Sequence, residues 1–197
     1  GDRLEVVAVG DSGLRINGSD ILQVLKPLDD VTAILRREAW HYFAALGRSI
    51  EDCDAYSAAM TWQGTQNQLA GTATADASVI QAVEARALAA CRAHLPNVPE
   101  RELLLLIQHG IAHGQGDFQN VTGPVLGYGG IDGFVVPSRY VETRSYALAD
   151  VETIELFSDG YFKLGSEFGV ASWEAAFAEV EAEDVHKIGR YMSTKGT

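Results

Sequence analysis

The sequence predicts an α+β protein, on three observations. Runs rich in β-branched and aromatic residues lie near both ends of the chain. A block of apolar residues at the 3.6-residue helical period occupies the middle, and nowhere do strands and helices alternate as βαβ units. At the N-terminal end, Leu4–Val9 and Gly13–Ile16 read as strands joined across Gly10-Asp11-Ser12 by a hairpin or sharp bend. Asn17-Gly18 is a second turn signal, after which Ile21–Leu25 returns as a third strand that Pro27 ends. Asp29 or Asp30 then caps a helix whose apolar positions are Val31, Ile34, Leu35, Ala39, Tyr42, Phe43 and Leu46, with Gly47 as its stop. Ser49-Ile50-Glu51-Asp52 has the form of a capping box and predicts a second helix to about Gln63.

The polar, Gly/Thr-rich stretch 64–74 reads as a loop. A third helix is expected over Asp76–His94, closed by Pro96. A fourth starts within Asn97-Val98-Pro99-Glu100 and carries Leu103–Ile107 toward His113. The helical block therefore covers about residues 30–113. Glycines then dominate 114–133, which reads as an irregular crossing back to the sheet with Tyr128 buried. Strands follow at Val141–Leu148 and Val151–Phe157, then an amphipathic helix over Ser172–Glu183. With no internal repeat or low-complexity linker, residues 1–197 are expected to form a single domain, or one domain with a sizeable insertion.

Composition narrows the function classes. Hydrophobic residues make up 47% and charged residues 21%, which excludes a disordered chain. A net charge of −12 repels phosphate, so neither nucleic acid nor an anionic membrane is an expected partner. Cys53 and Cys91 form no Cys-x-x-Cys pair, which leaves them as small buried apolar residues. No signal peptide is visible, nor any uncharged run near the ~20 residues that span a bilayer, so the expected location is cytoplasmic.

Several motifs can be set aside. Ser12 of Gly10-Asp11-Ser12-Gly13 is no triad serine of the trypsin-like kind, because only eleven residues precede it and the partner His and Asp would have to lie among them. His109 and His113 have zincin spacing but lack the intervening glutamate and any third ligand, so a surface or capping pair is the better reading. The glycine stretch matches neither a dinucleotide fingerprint nor a phosphate loop. What remains is Asp11 and Asp159, each in a small-residue turn beside a β-rich run. In Ser158-Asp159-Gly160 the glycine can take a positive φ and bring the backbone close to a ligand. The bland alternative is that Asp159 does no more than make an Asx-type turn. If the strands beside the two aspartates are neighbours, the carboxylates converge on one sheet edge. Such a pair suits Mg²⁺ or Mn²⁺, whose bound water has a lowered pKa and can attack phosphorus.

Val7-Ala8-Val9-Gly10-Asp11-Ser12-Gly13-Leu14-Arg15-Ile16 resembles the Gly-Asp-Ser strand motif of the metal-dependent type 2C protein serine/threonine phosphatases. Ile154-Glu155-Leu156-Phe157-Ser158-Asp159-Gly160-Tyr161 resembles their later Ser-Asp-Gly motif, and the order is the family's. The glycine stretch and the terminal Ser193-Thr-Lys-Gly are similar to a divergent bacterial branch. The resemblance implies a β-sandwich flanked by helices, two or more Mg or Mn ions, and hydrolysis of a phosphorylated protein or other phosphomonoester. It makes Asp159 a core metal ligand, Asp11 a ligand to a more weakly held extra ion, and Gly160 a backbone contact. The family's earlier Arg/Asn-Glu-Asp and Asp-Gly-His-Gly segments, and its closing Asp-Asp, have no counterpart here. Two expectations stay open: part of a longer phosphatase, or a shortened homologue that serves as a non-catalytic binding or regulatory module. In either case these residues alone are expected to be poor catalysts.

Overall fold

The computed structural model describes residues 1–66 and 76–194. Most of the loop expected at 64–74, and Lys195 and Gly196 of the terminal run, lie outside them. The architecture is α+β, with five strands and five α-helices among the described residues. The chain divides into two compact units interleaved in sequence: residues 1–26, 120–122 and 128–183 form one, and 27–119, 123–127 and 184 onward the other.

The first unit holds every described strand. β1 (Arg3–Ala8) pairs antiparallel with β4 (Glu142–Ala147). β2 (Gly13–Ile16) pairs antiparallel with both β3 (Asp20–Gln23) and β5 (Ile154–Phe157), giving the order β3-β2-β5. Gly10-Asp11-Ser12 is therefore a bend between two sheets, not a hairpin. Asn17 sets the register at the other end of β2. Its left-handed φ of 49° closes the turn into β3, its amide donates to the Thr153 carbonyl at 3.0 Å, and its side-chain oxygen accepts from the amides of Glu152 and Thr153. The two sheets share one apolar cluster: Leu14, Ile16 and Leu22 are buried, with Leu4, Val6, Ala8 and Tyr146 packed on them. Each buried Leu or Ile there contributes on the order of 2 kcal/mol. α5 (Val170–Glu183) buries Trp173, Ala176 and Val180, one stripe at helical spacing.

The second unit is built on α1 (Pro27–Ala45), α2 (Ile50–Gln63), α3 (Ala77–His94) and α4 (Glu100–Gly114). Pro27 opens α1 rather than merely ending a strand, because the first helical position needs no N–H. Asp29 and Asp30 consequently fall in the first turn, where carboxylates complement the helix dipole, instead of capping it. Val31, Ile34, Leu35, Ala39 and Phe43 are buried at the expected period, whereas Leu46 is exposed. Ser49 and Asp76 cap α2 and α3 as their sequences imply, accepting from Asp52 N and Val79 N.

Arg36 is a buried charge that no motif signalled. Arg36 on α1 donates to the carbonyls of His186 and Ser193, while Asp54 on α2 gathers Trp40 Nε1 at 2.9 Å and His186 Nδ1 at 3.0 Å. These contacts hold the segment after Glu183 against the helices of its own unit.

Cys53 and Cys91 are free and buried, and burial pushes the Cys91 thiol up to about 12. Since the thiolate is the reactive form, neither cysteine will react with Ellman's reagent in the native protein, and both will react in urea. Rapid labelling in buffer would contradict that packing.

Candidate metal centre

Both aspartates lie just beyond the β2–β5 ladder. Gly13, the first residue of β2, pairs with Phe157, the last of β5, so the bend that holds Asp11 and the turn that holds Asp159 leave the ladder at the same end. Both turns thus lie at one end of the same strand pair, the condition under which their carboxylates converge.

Each turn has its own local chemistry. Lys26, at the end of the chain segment that follows β3, places Nζ 2.7 Å from Asp11 Oδ2, and the ammonium also lies 5.2 Å from the centre of the Tyr128 ring. Both side chains of the Lys26–Asp11 pair are mostly shielded from solvent. Tyr128 is buried, as expected of the glycine stretch. At the other turn the Gly160 amide donates to Ser158 Oγ at 3.3 Å. The expectation of a positive φ at Gly160 is corrected: its φ lies outside the left-handed region, because the bond to Ser158 Oγ and that from the Tyr161 N–H to the Ser158 carbonyl close an ordinary turn.

The chain leaving Asp159 is held by a buried network that the motifs did not reveal. Arg15 and Glu155 face each other across β2 and β5, with Nε to Oε2 at 2.5 Å. Arg15 also donates to the carbonyls of Gly165 and Glu167, and its guanidinium lies 5.0 Å from the Trp173 ring. Glu155 Oε1 accepts from Trp173 Nε1 at 2.7 Å and from the Gly169 amide. One cross-strand ion pair therefore fastens the loop after Asp159 and the first turn of α5 to the sheet. A charged residue in each of two short apolar strands was the available signal, but nothing local ties one to the other.

The histidine pair does not survive as a ligand set. α4 is broken at Gly110 (φ 63°, ψ −167°), so His109 and His113 do not share one helix face, and His113 Nε2 contacts Gln63 Oε1 at 3.0 Å. Among the described residues no group of three or more His, Cys, Asp or Glu side chains is placed to hold a metal ion, and no helix is long and apolar enough to cross a membrane. Mg²⁺ can be held by one or two carboxylates with water completing its shell; the two-ion centre that the resemblance implies would need donors beyond Asp11 and Asp159. Comparison with known protein families, curated proteins and solved structures gave no match.

Proposed function

We propose that this chain carries a phosphatase-like scaffold of the type 2C kind, whose Asp11–Asp159 end binds Mg²⁺ or Mn²⁺ in the service of phosphomonoester hydrolysis on a phosphorylated protein. The observation that supports the reading is the β2–β5 register, by which the turns carrying the two motif aspartates leave the strand pair at the same end. Two small sheets sharing an apolar cluster, with helices elsewhere in the chain, support the sandwich that the resemblance implies. Asp159 and Asp11 would hold the ion, and a bound divalent cation would supply an acidified water. Lys26 and Tyr128 keep the Asp11 carboxylate oriented. Among the described residues no third carboxylate joins the two aspartates, so affinity for the ion is weak and turnover slow on this reading.

A second reading, a non-catalytic phosphatase-like module, is favoured by the Lys26 ammonium on Asp11, which already neutralises that carboxylate as a cation would. Calorimetric titration with Mn²⁺ separates the two. Weak binding by the wild type, lost in Asp159→Asn and strengthened about tenfold in Lys26→Met as the competing charge is removed, supports the metal reading. Manganese-stimulated hydrolysis of p-nitrophenyl phosphate that disappears in Asp159→Asn would extend it to catalysis. Absence of binding in both the wild type and Lys26→Met would leave the module.

A further inference from the structure

β5 lies at the edge of its sheet, and its outer side is unusually apolar. Ile154 and Leu156 stand directly across from Ile16 and Leu14, so the four side chains share one face. Ile16 and Leu14 are 2% and 6% exposed beneath the β1–β4 sheet, yet Ile154 and Leu156 are 44% and 81% exposed. The apolar face continues onto β5 and is left uncovered there. Phe168 and Val170 are also exposed, and with Tyr161, Trp173 and the four residues of β5 they line an open cleft of about 300 Å³. A cleft touching four consecutive strand residues runs along the strand edge.

The backbone of that edge is available. The Asn17 amide bonds the Thr153 carbonyl, so in this ladder Thr153, Glu155 and Phe157 turn their backbone groups toward β2. Ile154 and Leu156 therefore point N–H and C=O outward, and among the described residues no strand pairs with that side. A row of outward donors and acceptors flanked by apolar side chains is the template on which a further strand adds.

Charge says which strand. Residues 150–174 carry Asp150, Glu152, Asp159, Glu167 and Glu174 besides the buried Glu155, against one base, Lys163, which is tied to Glu179. A second copy would set these same acids against themselves, in a chain of net charge −12. We infer that the open edge of β5 binds an extended segment of a partner protein, apolar in its centre and flanked by lysine or arginine, added as the next strand. This does not depend on the metal reading.

Fluorescence polarisation of the whole chain with a fluorescein-labelled KRVTVFVKR peptide tests it, with EDVTVFVDE as the charge-reversed probe. Saturable binding is expected for the basic peptide, weakening with salt and at least about tenfold weaker for the acidic one. Leu156→Pro removes an outward N–H and no β2–β5 bond, and Leu156→Lys blunts the edge. Either variant, shown to be folded by its thermal transition, will bind the basic peptide at least about tenfold more weakly. The inference is overturned by no saturable binding, by equal binding of the two peptides, or by folded variants that bind as the wild type does. Sedimentation showing a dimer that Leu156→Lys dissolves would also overturn it, by making the occupant a second copy.

Discussion

Arg15→Ala will lower the unfolding free energy by about 3–5 kcal/mol, the usual result of removing one partner from a buried ion pair. Arg15 and Glu155 are 3% and 8% exposed, so the substitution strands a carboxylate in the sheet interior and leaves the Gly165 and Glu167 carbonyls without their donor. Urea unfolding followed by tryptophan fluorescence measures the loss. Lys163→Ala, which breaks the exposed pair with Glu179, is the control and will change stability by less than about 1 kcal/mol. A loss at Arg15 no larger than the control would mean that the pair does not organise the loop after Asp159.

The same pair gives the protein an acid limit. Arg15's hydrogen bond, helped by those from Trp173 and the Gly169 amide against the opposing effect of burial, holds the Glu155 carboxyl at about 2 rather than 4.5. A carboxylate depressed by folding stabilises fully above its unfolded pKa, and the gain disappears as pH falls through the folded value. Stability will therefore decline from about pH 4.5 toward pH 2. In Glu155→Gln the decline over that window will be shallower, as midpoint denaturant concentrations across a pH series will reveal.

Gly110→Ala is the second large effect, at roughly 3 kcal/mol. A positive φ with extended ψ is a region almost confined to glycine and costs another residue about 1–3 kcal/mol, and forcing atoms into a packed site costs about 1–3 more. Both apply here. The glycine sits at φ 63°, and an added Cβ would lie 2.3 Å from the Gly64 nitrogen and 2.7 Å from the Thr61 and Trp62 carbonyl oxygens. Close approach of the end of α2 to α4 lets the Thr65 and Gln66 amides reach the Ile107 and Gln108 carbonyls at 3.0 and 3.1 Å. Gly116→Ala is the matched control: nothing lies within 4 Å of its Cβ position, and a change within about 0.5 kcal/mol is expected. A Gly110→Ala protein as stable as that control would show that the break in α4 relaxes freely.

Local signals were legible in the amino-acid order because the interacting groups are sequence neighbours. Ser49 and Asp76 cap the helices just after them, Asn17-Gly18 turns β2 into β3, and the period of α1 selects Val31 through Phe43 for burial. The candidate site was legible by halves. Asp11 and Asp159 each follow from a turn beside a strand, but their common end depends on which strands pair, and that is decided by contacts about 140 residues apart, such as Arg15 with Glu155. Lys26 carried no signal, since only the path of the chain after β3 brings its ammonium to Asp11.

The alternation in β5 identified a strand without saying which face is inside. Ordinary partition of polar and apolar groups would bury Ile154 and Leu156 and expose Glu155. The fold does the opposite, because Arg15 and Trp173 satisfy the carboxylate in the interior while the sheet that covers Leu14 and Ile16 stops short of β5. Secondary structure and turn positions were thus set by nearest neighbours along the chain, whereas the pairing of strands and the buried face of β5 were set by tertiary contacts that desolvate one side chain and supply a partner to another.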